Sequence, residues 1–507
     1  MNQLRHFLED CYRNNSAGIA IQSGTENLSY LELNQRRQAL EGLIGAVALE
    51  ARSPIGLLLP KSPNAIAAIL ACLKLDLPYV PIDFDAPFSR SKYIFEDASC
   101  NFLITTKERA AEIYQLLTIN KEPLEHPDLD FAIVDLRLQS RPRAENRIGP
   151  DVCYILYTSG STGKPKGVLI TATNAICFVE WAGAHFNIDA TLTLASIAPF
   201  HFDLSIFDLF VSLKAGATIA LFTAKEVKNP LLLAHYLAEW KVNVIYATPS
   251  LLQLLLRYGK LDRYGFSVLR QVLFAGEVFP VSALRLLSLQ WPQVSFYNLY
   301  GPTETNVVTY FSVPRPILEQ RGYPYPIGQL CPYAKAQLRT GDQTYPLEVN
   351  MEGELLIAGD SVAAGYLGLP ELEGKRFLQL DGAIWYATGD LVRVDKNRDI
   401  VYVGRIDRMV KRRGYRIEMA EIENCMSNYE GVTAFGAVPV EQDGQLKIIG
   451  CYESNFAIPE LDLKQYFVDY LPLYMQPDRF LHLKEIPLTS SQKVDFQALK
   501  NIAIKHV

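Results

Sequence analysis

The run Tyr157-Thr158-Ser159-Gly160-Ser161-Thr162-Gly163-Lys164-Pro165-Lys166-Gly167 concentrates glycines, hydroxyls and two lysines between two apolar stretches, 152–156 and 168–170. Those residue types suit a loop that wraps a polyanion. Glycine lets the backbone turn and approach a ligand closely, and hydroxyl, amide and ammonium groups donate to it. The apolar flanks predict a strand on either side. A nucleoside triphosphate is the obvious polyanion, yet the loop is not a P-loop. That motif carries a glycine where Thr158 stands, and a magnesium-binding hydroxyl where Pro165 stands. A solvated turn between strands is the plainer alternative.

Such a loop needs a framework, and the chain is long enough to build one. With 507 residues it exceeds one compact core, so two or more domains are expected. Strand-like runs alternate with helical patterns, for instance 54–59 before 64–73 and 242–247 before 250–258. That alternation predicts an α/β fold with largely parallel sheets. After about residue 380 short strands, around Tyr386, 399–403 and 416–417, lead into charged helices. Gly404-Arg405-Ile406-Asp407-Arg408 reads as a linker, which gives an N-terminal domain 1–404 and a C-terminal domain 405–507.

Composition excludes several functions. A net charge of -6 argues against nucleic acid as the main partner, because phosphate neutralisation needs clustered cations. No apolar stretch approaches the ~20 residues that span a bilayer. Glu9 and Asp10 sit where an export signal would be apolar, so a cytoplasmic protein without membrane attachment is expected. The eight cysteines show no CxxC and the seven histidines are dispersed. They read as reduced thiols and no zinc site.

Further motifs follow in order: Leu28-Ser29-Tyr30-Leu31-Glu32-Leu33, Pro78-Tyr79-Val80-Pro81-Ile82-Asp83, Phe202-Asp203, Tyr300-Gly301-Pro302-Thr303-Glu304, Gly353-Glu354-Leu355, Tyr386-Ala387-Thr388-Gly389-Asp390, Leu471-Pro472-Leu473-Tyr474-Met475 and Lys493-Val494-Asp495. A lone aspartate such as Asp390 is more often a cap or turn residue. In this order, and with the loop above, the set resembles the adenylate-forming enzymes, which include amino-acid adenylation domains, acyl-CoA synthetases and luciferases. Two departures stand out: Asp76 replaces the family's usual glycine, and Ser491-Gln492 replaces its Asn-Gly.

The resemblance implies a large N-terminal domain of sheets flanked by helices and a small mobile C-terminal domain turning about Asp407. It implies ATP and Mg2+, and a carboxylate converted to an acyl-adenylate by in-line attack at the α-phosphorus. Catalysis of that kind is mainly positioning and charge neutralisation. Thr158, Ser159, Gly160, Ser161, Thr162, Gly163, Lys164 and Lys166 would hold the β- and γ-phosphates, and Glu304 the metal. Tyr300 would stack on adenine, Asn298 would read its amine, and Gly276-Glu277 would close the other face, with Leu299, Gly301 and Thr303 alongside. Asp390 would accept from the ribose hydroxyls, helped by Tyr402 and Arg405. Lys493 would bridge the substrate carboxylate and the α-phosphate, so Lys493, Glu304 and Thr158 are the candidate catalytic residues. His201 reads as a core histidine, or else as a wall of the acyl or pantetheine channel.

Asp203 points to the substrate class, because in amino-acid adenylation domains the equivalent aspartate pairs with the α-ammonium. The family's pocket positions fall on Asp203, Leu204, Phe207, Tyr246, Leu273, Ala275, Leu299, Val307, Val308 and Lys493. Beyond the two charged ends this lining is bulky and apolar except for the Tyr246 hydroxyl, so a small apolar side chain is expected. The pattern resembles that of free-standing L-proline-adenylating enzymes, which load a carrier protein. No pantetheine-bearing serine motif appears, so the acyl acceptor is expected to be the phosphopantetheine thiol of a separate carrier protein. The alternatives are a D-alanine–carrier protein ligase, an acyl- or aryl-CoA ligase that Asp203 disfavours, and a non-catalytic nucleotide sensor.

Overall fold

The computed structural model describes residues 3–48, 53–119, 123–138, 148–149, 151–160, 164–426, 429–442, 445–488 and 494–506. The chain forms two compact units. One comprises Met1–Phe84, Phe95–Tyr157 and Gly167–Ile406, and the other Asp85–Ile94, Thr158–Lys166 and Asp407–Val507.

Among the described residues the first unit contains three sheets. Among the described residues a nine-stranded sheet has as its centre the parallel strands Ser295–Tyr300, Gln271–Phe274, Val244–Ala247, Thr193–Ser196, Thr218–Leu221 and Ile19–Ser23. An eight-stranded sheet places Lys166–Thr171 and Val152–Thr158 beside the parallel trio Tyr79–Pro81, Ile55–Leu58 and Phe102–Thr105. The strands expected on either side of the glycine-rich run are therefore present. Both parallel cores read as continuous apolar runs because helices such as Pro63–Lys74 and Pro249–Tyr258 cover them. The third sheet has six strands and is antiparallel, built around Glu352–Gly359 and Ala383–Val394 with Ile400–Arg405 alongside. The alternating sequence pattern anticipated the first two sheets, and the change of texture near residue 380 falls within the third.

Asp76 has a local explanation. It follows the helix Pro63–Lys74 at φ 53°, in the left-handed region. Its amide donates to Leu73 O at 3.2 Å and that of Leu77 to Cys72 O at 3.0 Å, which makes a Schellman stop. Glycine is favoured in that conformation, and aspartate tolerates it better than most residues. The backbone is kept and the glycine is dispensable.

The longest stretch of the second unit carries the ribbon Met409–Arg412/Tyr415–Glu418, a sheet of Val432–Gln442, Gln445–Ser454 and Arg479–Leu483, and the helices Met419–Met426, Glu460–Tyr470 and Phe496–Ile504. Its core joins Ile417, Met419, Ile422, Phe467 and Met475. Among the described residues no helix is long and apolar enough to cross a membrane.

Candidate functional site

Strand Ser295–Tyr300 ends at Gly301, where a β-carbon would stand 1.6 Å from Asn306 O. Only glycine fits, because the chain doubles back at once: Thr305 N donates to Pro302 O at 2.9 Å and Val308 N to Tyr300 O at 2.8 Å. That turn presents Glu304, which is fully buried. Its Oε1 accepts from the Tyr366 hydroxyl at 2.7 Å, and its carbonyl from Ala363 N at 2.8 Å. The same turn reaches Asp203, whose Oδ2 accepts from Thr303 Oγ1 at 2.8 Å. Two of the predicted acids are thus joined by one short bend.

A cavity of about 10 Å3, room for one water, opens beside Asp203 between Tyr154, Thr303, Asn306 and Ser361. Ser361 is buried and its hydroxyl has no hydrogen-bond partner among the described residues. Asn174 holds that segment by donating to Asp360 O at 2.7 Å and Val362 O at 2.8 Å. No sequence motif pointed to Ser361, Asn174 or Tyr366.

Asp390 is buried on the antiparallel sheet directly opposite Arg405. Arg405 Nη1 donates to its Oδ1 at 2.7 Å, and the Tyr300 hydroxyl to its Oδ2 at 2.5 Å. Burial and the adjacent carboxylate charge hold the Tyr300 phenol well above its usual pKa, so it remains a donor. Each carboxylate oxygen has lone pairs to spare for a second donor. Tyr402 is half-buried on the strand that carries Arg405. Asn298 Nδ2 donates to Pro326 O at 2.8 Å, which orients the amide. Gly276 sits at φ 93°, and the Glu277 side chain accepts from Ser250 N at 3.0 Å, capping the helix Pro249–Tyr258.

The apolar positions converge on neighbouring strands. Tyr246 pairs with Leu273 across two parallel strands, Ala275 follows one of them, and Leu299 lies on the next. Phe207 opens a single wide turn, Phe207–Val211, and its ring meets that of Tyr246 edge-on at 5.4 Å. Leu204, Phe207, Tyr246, Leu273, Ala275, Leu299 and Val307 belong to one buried cluster. Tyr333 fixes Val307 by donating to its carbonyl at 2.6 Å. Val308 does not join them. It packs with Tyr300, Ile327, Leu338 and Val392. Burial, then the charges of Asp203 and Asp208, hold the Tyr246 phenol well above its usual range, which keeps it protonated. His201 is partly buried, with Nε2 4.0 Å from Asp83 Oδ2.

In the second unit the glycine-rich loop departs from expectation at Ser159. Its hydroxyl donates to Arg416 O at 2.7 Å and accepts from Glu418 N at 3.2 Å, so it pairs a strand's backbone rather than facing outward. The Thr158 hydroxyl is buried with no partner among the described residues. Gly160 is buried, Lys166 is 3% exposed, and Lys164 Nζ lies 5.7 Å from the centre of the Tyr93 ring. Asp407 is the first residue of the unit's longest stretch. Ser161, Thr162, Gly163 and Lys493 lie outside the described residues.

Among the described residues no group of three or more His, Cys, Asp or Glu could hold a metal by itself. Residues 8–367 match a family model described as AMP-binding enzyme. The chain is 33% identical to an L-proline–[L-prolyl-carrier protein] ligase of Pseudomonas fluorescens, over 95% of each chain. It is 31% identical to a D-alanine–D-alanyl carrier protein ligase of Bacillus licheniformis, over 95% of this chain and 96% of that one. Its fold matches the Vibrio cholerae adenylation domain AlmE, solved in complex with glycyl-adenosine-5'-phosphate, at a TM-score of 0.83 and 22% identity, covering 100% and 98% of the two chains.

Proposed function

This chain belongs to the AMP-binding enzyme family and is an AMP-forming ligase, and we propose that it activates L-proline as prolyl-adenylate and passes it to the phosphopantetheine thiol of a separate carrier protein. The observation that carries the reading is Asp203: a partly buried carboxylate beside an otherwise apolar wall, braced by the Thr303 hydroxyl. A buried charge needs an opposite charge or hydrogen bonds. The α-ammonium of an amino acid would supply the charge, and a fatty or aryl acid has none to offer. Phe207, Tyr246, Leu273 and Leu299 fill the space beyond, which suits a compact ring without polar atoms.

The remaining groups divide the other tasks. Asp390 would accept from the ribose hydroxyls while Arg405 and Tyr300 keep it aligned. Asn298 would read the adenine amine, the Tyr300 ring would lie against the base, and Gly276-Glu277 would close the opposite face. The loop from Thr158 to Lys166, with its two lysines, would neutralise the phosphates, and the Thr158 hydroxyl, buried with no partner among the described residues, fits a donor to one of them. Lys493 would balance charge between the carboxylate and the α-phosphate. Glu304 is one acid without a cluster, which fits an ion that takes most of its ligands from phosphates and water, as Mg2+ does. When bound, that ion would neutralise the charge of the departing pyrophosphate.

Amino-acid-dependent ATP–pyrophosphate exchange tests this. Proline should give the highest kcat/KM in a panel of amino acids. A preference for D-alanine would assign the chain to the other carrier-protein ligase class, and a response only to acids lacking an amine would end the amino-acid reading.

A further inference from the structure

The segment that carries Asp203, Leu204 and Phe207 is tied down at both ends by two charged residues with no role in the chemistry above. Lys61 follows the strand Ile55–Leu58 and sits just before Ser62, the N-cap of the helix Pro63–Lys74. Its Nζ donates to Ser196 O and to Ala198 O, both at 2.7 Å, and lies 5.4 Å from the centre of the Phe200 ring. Asp208, 1% exposed, approaches from the far end of the segment, and its Oδ2 accepts from Ile197 N at 3.2 Å. The Asp208–Ile197 bond closes the loop 198–207, in which all three pocket residues lie.

The arrangement is hard to account for as fold stabilisation. A carboxylate and an ammonium brought into low-dielectric surroundings lose hydration, and apolar replacements of equal volume are often as stable or more so. Burial pulls the Lys61 ammonium down while the charges of Asp208 and Glu226 oppose it, and pushes the Asp208 carboxyl up while that of Lys61 opposes it. What the pair does achieve is directional. Lysine takes the carbonyls on one side of residues 196–198 and aspartate takes the amide between them, so this stretch cannot rotate without breaking a charge-assisted bond. Asp203 hangs from that anchored base, and a displacement of about 1 Å in a substrate-positioning group can cost about 100-fold in rate.

We propose that Lys61 and Asp208 form a clamp of positioning residues that sets where the Asp203 carboxylate and the Phe207 ring stand, and hence the affinity and ring-size selectivity for the amino acid. This rests on the reading of Asp203 as the partner of the substrate ammonium. The clamp touches neither substrate and should leave ATP binding alone.

The test compares Lys61→Met, Asp208→Asn and the double variant in pyrophosphate exchange, with proline and its four- and six-membered ring analogues. Each single variant should raise the KM for proline about 10- to 100-fold and flatten the analogue series, with the KM for ATP unchanged. The double variant should be no worse than about the poorer single one, because both act through one loop. Unchanged proline KM, equal rises in the KM for proline and for ATP, or additive losses in the double variant would each overturn the clamp. If Lys61→Met does not fold, Asp208→Asn preserves volume and the acceptor for Ile197 N, and carries the same comparison. Wild-type exchange separates the two levels. If the wild type shows no amino-acid dependence, the functional reading falls and the clamp with it. If wild-type exchange follows proline while the variants behave as wild type, only the clamp falls.

Discussion

Replacing Asp203 by asparagine removes one charge and almost no volume. The asparagine Oδ1 can still accept from Thr303 Oγ1, so the turn that carries Glu304 should keep its shape. What is lost is the attraction between a carboxylate and the substrate ammonium. At ~4 Å and an effective dielectric of ~20 that attraction is about 4 kcal/mol, within the 3–5 kcal/mol typical of breaking a buried pair. Since 1.36 kcal/mol is tenfold in rate, kcat/KM for proline should fall by roughly 150- to 5,000-fold. Asp203 is only partly buried, so solvent screening places the expectation towards the lower end. The KM for ATP should hold, because Asp390, Arg405 and Tyr300 form their own bonded set. Pyrophosphate exchange at varied proline and fixed saturating ATP measures the first quantity, and the reverse titration the second. Wild-type kcat/KM in Asp203→Asn, or a loss shared equally by both substrates, would refute the pairing.

Gly301→Ala should lower both the melting temperature and exchange activity, at a cost of about 3 kcal/mol or more, since its β-carbon meets backbone rather than a movable side chain; a variant that melts and turns over like wild type would show that the turn can relax. Phe207→Leu should weaken proline and shift preference towards the six-membered ring, with differences of roughly 10- to 200-fold per methylene, and an unchanged analogue ranking would remove Phe207 from the pocket. Lys493→Ala should abolish adenylate formation while still loading the carrier from supplied prolyl-adenylate. Asp407→Pro, which fixes φ, should do the opposite. Equal loss of both half-reactions in both variants would contradict separate roles for the two residues.

Much of this protein could be read before any coordinates. The glycine-rich run predicted strands on both sides, and they are Val152–Thr158 and Lys166–Thr171. The motifs ending in Glu304 and Asp390 singled out two acids, and both are buried. The apolar alternation foretold parallel sheets covered by helices. These features are short-range: the residues that specify them are the ones that form them.

The remainder depended on residues far apart in the chain. Nothing near Ser159 indicates that its hydroxyl pairs with Arg416 and Glu418, a strand edge more than 250 positions away, rather than facing a ligand. Val307 and Val308 look interchangeable among the pocket positions, yet folding sends them to different cores. Asp76 breaks a glycine pattern, and only the left-handed turn beneath it shows that the break is harmless. Lys61 resembles any lysine before a helix until folding sets it against the carbonyls of Ser196 and Ala198. A motif states which groups a local bend will present. Which partners satisfy or orient those groups is decided by packing, because hydrogen bonds and charges act over a few ångströms of space, whatever the separation along the chain.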